Sequence, residues 1–130
     1  MTIYTPDFSP FTGYGRIALA AKRALNAVGT TQPNADVAVC NPADPSPAPI
    51  RLTVWEADDL PRDYIGWKAA KLLIVPCEHN QRLFKKYTKR PVEILPQFAD
   101  THYEHLPPAR PFRFVCIARD NGARSRKGID

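Results

Sequence analysis

A strand-like run, Phe112-Arg113-Phe114-Val115-Cys116-Ile117-Ala118, feeds a basic segment that carries Arg119, Arg124, Arg126, Lys127 and Gly128. In α/β proteins this pattern starts a phosphate site. Backbone N–H groups at the next helix start and the cationic side chains neutralise a bound anion. Lys127, Arg119 and Arg126 are therefore candidate anion ligands, with Arg124 beside them. The competing reading is a solvated basic tail, since chain ends are commonly loose.

Three further constellations lie between apolar runs. Gly13-Tyr14-Gly15 joins a strand to a helix, and its bare backbone permits close approach of a ligand or a positive φ; a tight turn explains the same residues. Tyr14 shields a cleft or simply packs. Glu56-Ala57-Asp58-Asp59 follows a strand as an acidic turn, with the aspartates suited to helix capping. Glu78-His79-Asn80 opens a helix at another strand end, where capping also accounts for Glu and Asn. His79, His102 and His105, even with Glu78 or Glu104, match no metal-ligand spacing, so no metal is expected. The run Lys85-Lys86, Lys89-Arg90 suits a solvated helix end, where cations complement the dipole, and also a peripheral contact with anionic lipid.

The elements that must position these groups alternate. Strands are expected at Ile3 to Phe8, Val37 to Cys40, Ile50 to Trp55, Leu72 to Val75, Val92 to Leu95 and Phe112 to Ala118. Ile17, Ala20, Ala21, Ala24, Leu25 and Val28 follow helical spacing, with Gly29 as the stop. Further helices are expected over Arg62 to Ala70 and His79 to Tyr87, with Trp55, Trp67, Phe84 and Tyr87 facing inward. Strands alternating with helices imply an α/β, Rossmann-like parallel sheet with helices on both faces. Ligands of such sheets bind beyond the carboxyl ends of the strands. Gly13 to Gly15, Glu56 to Asp59, Glu78 to Asn80 and Arg119 to Lys127 fall there.

The chain has 130 residues, 44% of them hydrophobic, which suits one ordinary core. Its 14 prolines punctuate loops rather than repeats. A net charge of +5 and a pI near 9.3 favour anionic partners without choosing among them. Three cysteines without CxxC spacing suggest reduced thiols, with Cys77 and Cys116 expected to be buried in or beside apolar runs. No apolar run approaches the ~18 residues of a spanning helix, and no signal peptide is recognisable. A cytoplasmic protein is expected.

The order of these motifs resembles the GT-B glycosyltransferases, in particular the large retaining family that includes many polysaccharide and lipopolysaccharide mannosyl- and glucosyltransferases. Gly13-Tyr14-Gly15-Arg16 matches its "GYGR" loop, and Trp55-Glu56 with Leu60-Pro61 matches "WE…LP". Ile74-Val75-Pro76-Cys77-Glu78-His79-Asn80 matches "iiVPSxxN", with Cys77 in place of Ser. Val92 to Asp100 matches "pv…lPxxxD", and Phe112 to Asp130 the closing "F.f….R…RKGiD". The resemblance implies an N-terminal, acceptor-side lobe over residues 1–106. It implies a linker and the first strand and basic loop of an incomplete donor-side lobe over residues 107–130.

The activity so implied is transfer of a sugar from a nucleotide-sugar donor to an acceptor hydroxyl, with retention. Arg119, Lys127 and Arg126 would hold the donor diphosphate, whose growing charge fixed cations stabilise. Glu56 would orient the acceptor hydroxyl or take its proton. Gly13, Tyr14, Gly15 and Asn80 would line the acceptor side of the cleft. No cofactor is implied beyond the nucleotide-sugar substrate, and the acceptor is a glycan or a lipid-linked one. The isolated chain is expected to be inactive, because such a cleft needs two walls. The strand Phe112 to Ala118 is expected to dock on the first lobe or to mediate self-association. The alternative is a non-catalytic glycan- or protein-binding module built on the same lobe. Nucleic acid is disfavoured: no recognition motif is present, and the aromatics are expected inward rather than on a stacking surface.

Overall fold

Six short apolar runs become the strands of one sheet: β1 (Thr2–Tyr4), β2 (Val28–Thr30), β3 (Val37–Val39), β4 (Ile50–Leu52), β5 (Leu72–Val75) and β6 (Val92–Ile94). The computed structural model describes residues 1–9 and 12–97. The run from Phe112 to Asp130, with Arg119, Arg124, Arg126 and Lys127, lies outside the described residues. The strands are hydrogen-bonded in the order β2-β1-β3-β4-β5-β6, and every neighbouring pair is parallel. This is the expected Rossmann-like α/β sheet. The chain winds outward from β1 to β2, then returns across β1 to build β3 through β6 on the other side, so its switch point lies between β1 and β3.

Successive residues of a strand point to opposite faces. Ile3, Val37 and Ile50 are in register and share one face, while Ala38, Arg51 and Leu73 share the other. Helix α1 (Gly13–Ala24) lays Ala18, with Ile17 and Ala21, on the first face, against Ile3, Val37 and Val39. Helix α2 (Glu78–Lys85) lays Leu83 and Phe84 on the second, against Leu73, Val75 and Val92. Helices thus cover both faces, and each apolar cluster forms where an amphipathic helix meets alternate strand residues.

Several local expectations are corrected. Helix α1 begins at Gly13, capped by the Thr12 hydroxyl, which accepts from the Gly15 N–H at 3.1 Å. It ends at Ala24, and Asn26 makes the exit at φ 47°, a left-handed position that Asn tolerates. Ala20, Ala24 and Leu25 are consequently exposed. The inward stripe is buried Ala18 with half-buried Tyr14, Ile17 and Ala21, whose small members let the helix approach the sheet. Val28 and Gly29, expected to close that helix, form β2 instead. The helix expected over Arg62 to Ala70 is reduced to a 3₁₀ turn, Gly66–Ala69; Gly66 itself supplies little helical preference. Tyr87 is not inward but 43% exposed, because α2 stops at Lys85. Cys77 is exposed at the start of α2, whereas Cys40 is buried; Cys116 lies outside the described residues.

Candidate functional site

Three elements meet on the two residues that precede Glu56. Tyr14, in the first turn of α1, donates its hydroxyl to the Val54 carbonyl at 2.8 Å and accepts from the Val54 N–H at 3.3 Å. Asn80, in the first turn of α2 and 3% exposed, accepts from the Trp55 N–H at 2.7 Å and donates to the Trp55 carbonyl at 3.0 Å. A phenol and a carboxamide thus satisfy backbone groups that leave the sheet after β4 and have no strand partner. Burial pushes the Tyr14 phenol above its usual value, against the pull of its Val54 and Thr53 hydrogen bonds. The hydroxyl therefore stays protonated at neutral pH and keeps its donor.

The consequence is positional. Glu56 stands exposed on the turn that Tyr14 and Asn80 hold from either side. Sequence reasoning placed all three residues at strand ends, and the structure brings them together. It also shows what that reasoning did not: Tyr14 and Asn80 spend their polar atoms on backbone, so they position the turn rather than present free groups to a ligand. Trp55 continues the brace, giving its indole N–H to the Asp59 carbonyl at 2.7 Å and standing edge-on to Tyr64 at 5.0 Å.

At the switch point lies a cavity of about 160 Å³, bordered by Thr5, Asp7, Thr12, Tyr14, Cys40 and Asp44. Arg51 lies behind its Cys40–Asp44 wall, 1% exposed. Its Nη2 donates to Cys40 Sγ at 2.9 Å, to the Asn41 carbonyl at 2.7 Å and to the Asp44 carbonyl. That guanidinium ties the loop after β3 to the middle of the sheet. Its Nε and Nη1 have no hydrogen-bond partner among the described residues. Sequence reasoning passed over Arg51 because it reads as the polar face of an alternating strand. The available signal was its place in a sheet expected to be covered on both sides.

Burial pushes the Cys40 thiol up to about 11, with Asp44 adding to the rise and Arg51 opposing it. Tyr4 and Tyr14, which also face this group, are raised as well, chiefly by burial. Folding therefore favours the protonated thiol. That stabilisation is whole below the unfolded thiol value of ~8.5 and is lost as pH rises toward 11. The urea midpoint is expected to fall across that window and to fall less for Cys40→Ala; a midpoint equally flat for both chains would contradict the assignment. At neutral pH, alkylation of the native protein should mark Cys77 and spare Cys40 until urea is added.

The glycines of the first turn of α1 have unequal duties. A Cβ on Gly15 would run into the Ser9 carbonyl oxygen and lie 2.6 Å from Thr12 Oγ1, whereas one on Gly13 meets nothing within 4 Å. Gly15→Ala is expected to cost about 1–3 kcal/mol through overpacking. Gly13→Ala should be neutral or gain up to about 1 kcal/mol by restricting the unfolded chain. Paired thermal melts check the contrast, and equal effects would show that the close approach at Gly15 is relaxed at no cost.

Arg119, Arg126 and Lys127, the expected diphosphate ligands, lie outside the described residues. Among the described residues, no group of three His, Cys, Asp or Glu side chains is placed to hold a metal ion. No helix there is long and apolar enough to cross a membrane.

Fold and switch point together define a doubly wound parallel α/β protein. No family model matches the chain, and no curated protein or solved structure matches it either.

Proposed function

We propose that this lobe is the acceptor-side wall of a GT-B-type glycosyltransferase, in which a sugar passes from a nucleotide-sugar to an acceptor hydroxyl with retention. The observation that carries the reading is the convergence of Tyr14, Val54-Trp55 and Asn80 under Glu56 at the carboxyl ends of the strands. It draws together the "GYGR", "WE" and "VPSxxN"-like motifs, which are far apart in sequence. In this reading Glu56 orients the acceptor hydroxyl or receives its proton. Tyr14 and Asn80 hold the turn that carries it, and Gly13 and Gly15 begin the helix beside the cleft. Arg119, Arg126 and Lys127 meet the donor diphosphate, where fixed cations favour the departing charge. The chain works in a cytoplasmic setting where nucleotide-sugars are available, and its acceptor is a glycan or a lipid-linked glycan.

The test is equilibrium binding of UDP and GDP to the full chain and to Lys127→Ala. Saturable binding by the parent chain that weakens about tenfold or more on loss of the lysine supports a diphosphate site. No binding at millimolar nucleotide would remove the donor half of the proposal. A transfer assay with labelled nucleotide-sugars and Glu56→Gln tests the other half. Turnover by the chain alone would overturn the expectation that a second wall is required. Glycan binding indifferent to nucleotide and to Lys127 would instead favour a non-catalytic glycan-binding module.

A further inference from the structure

Each helix of this lobe leaves the carboxyl end of one strand and leads into the amino end of another, so both helices close at the amino-end edge of the sheet. Lys22 and Arg23 lie in the last turn of α1, and Lys85 in that of α2. Lys68 and Lys71 lead into β5, and Lys89 and Arg90 into β6. The Arg90 guanidinium donates to the carbonyls of Lys68 and Ala70, which draws those two segments together. All seven cations are exposed. Among the described residues the one carboxylate directly before a strand is Asp36, and it is committed to the Met1 ammonium at 4.0 Å and the Thr2 N–H at 2.6 Å. The opposite edge reverses the sign: Asp7, Asp44, Glu56, Asp58, Asp59 and Glu78 follow their strands there, set against Arg16 in the first turn of α1.

Apolar side chains gather on the same basic edge. Of the seven large hydrophobic residues exposed among the described residues, Met1, Leu25, Val28 and Tyr87 stand there. Met1 opens β1, Leu25 caps the end of α1 and Val28 opens β2, with the Val28 N–H on the Met1 carbonyl at 3.1 Å. Val28 is 67% exposed, and Lys22 and Arg23 lie just before it. Tyr87 sits between Lys86 and Lys89 at the other side of the sheet. With β2 and β6 at the two margins, five gaps of about 4.8 Å set these apolar–basic groups about 24 Å apart. They lie along one line, because the strands are parallel and begin together.

We propose that the amino-end edge of the sheet docks this lobe on an anionic lipid bilayer. Cations near such a surface are drawn to its negative potential, and their long stems lie along apolar surface while the charged heads reach the headgroups. Met1, Leu25, Val28 and Tyr87 enter the interface between them, and the strength of such contacts grows with the apolar area buried. A small anion has no use for these aliphatic side chains. A nucleic acid strand wants aromatic platforms for its bases, and this edge offers Tyr87 alone. The segregated charge also sets the orientation: the bilayer attracts one edge and repels the other. Glu56 and the turn beneath it therefore face away from the membrane and stay open. The proposal holds whether or not the chain takes part in sugar transfer.

The test is sedimentation of the full chain with vesicles of phosphatidylcholine alone and of phosphatidylcholine mixed equally with phosphatidylglycerol. The mixed vesicles are expected to bind about tenfold or more tightly, because several cations act together. Lys22→Gln and Lys89→Gln should each weaken that binding about fivefold, whereas Arg16→Gln at the far edge should change it by less than about twofold. Leu25→Ser, which removes apolar surface and no charge, should weaken it about threefold or more. Equal binding to both vesicles would overturn the proposal, and that comparison needs no mutation. Binding indifferent to Lys22 and Lys89 would overturn it too, as would an equal loss in Arg16→Gln. A loss through the lysines with none through Leu25, or tighter binding of a single-stranded oligodeoxynucleotide than of the mixed vesicles, would show a polyanion surface instead of a membrane one. UDP and GDP binding through Lys127 is read separately, and its failure would leave this result standing.

Discussion

Arg51→Ala is expected to lower unfolding free energy by about 3 kcal/mol, from two lost hydrogen bonds between a charged donor and the half-buried Asn41 and Asp44 carbonyls. The Asn41 and Asp44 carbonyls accept from the same Nη2; the Asn41 carbonyl also accepts from the Asp44 N–H at 3.0 Å, whereas no other donor to the Asp44 carbonyl is present among the described residues. The truncation also opens a void beside Leu73 and Ala38 on the covered face. Against this stands the relief of a buried cation whose Nε and Nη1 are unpartnered and which has no ion pair among the described residues. Arg51→Met, which fills the volume and removes the charge, should therefore recover about half of the loss. Urea melts give the energies. Limited proteolysis gives the mechanism: cleavage between residues 41 and 49 should accelerate in both variants, because both release the loop. A chain with alanine at this position that melts like the parent and resists cleavage would show that the guanidinium does not organise the switch-point wall. Since a domain's whole margin is about 5–15 kcal/mol, an effect of this size would also show as lower yield of folded protein.

Phe84→Ala should cost about 3–5 kcal/mol, the largest single effect expected in the described lobe. Phe84 is fully buried and joins Leu73, Val75, Leu83 and Val92 in the cluster under α2. Its ring stands edge-on to Trp67, centroids 5.6 Å apart, a geometry worth about 0.5–1.5 kcal/mol beyond area burial. Phe84→Leu should cost less than half as much as the alanine change, because it keeps most of the volume. Trp67 emission offers a local reading, since its edge partner is removed in both variants. A cost under about 1 kcal/mol for the alanine change, well below the range for buried aromatics, would mean that α2 does not anchor the β5–β6 side of the sheet. By contrast, the Glu78–Arg82 pair on the same helix is exposed on both sides, and surface pairs of this spacing contribute about 0.3–0.5 kcal/mol. Packing, rather than surface charge, secures this half of the fold.

The continuous apolar run Leu72 to Val75 announced a strand covered on both faces, and β5 has those limits. The run His79 to Tyr87 announced α2 with Leu83 and Phe84 inward, and both are buried. The strand was legible as a short, uninterrupted apolar run, and the helix because its apolar residues recur at the helical period. The start and facing of α1 were less so. Its alanines fit more than one stripe, and only contact with the sheet selects Ala18 and Ala21 over Ala20 and Ala24. The short β2 was hidden within an apparent helical repeat, because three residues are too few to show alternation against it.

The candidate site divides along the same line. Residue types and their order placed Tyr14, Glu56 and Asn80 at strand ends, and a parallel sheet gathers those ends along one edge. The amino-acid sequence by itself determined that much: apolar runs separated by crossover-length segments can satisfy their backbone groups only as a covered parallel sheet. What Tyr14 and Asn80 do there was decided by tertiary structure. Their bonds to Val54 and Trp55 span 40 and 25 residues, and a side chain meeting distant backbone leaves no periodic trace. Arg51 is the same lesson inside the sheet, since the loop that buries it comes from the preceding strand connection. Alternation in β4 marked Arg51 only as a polar position, and packing placed it in the interior.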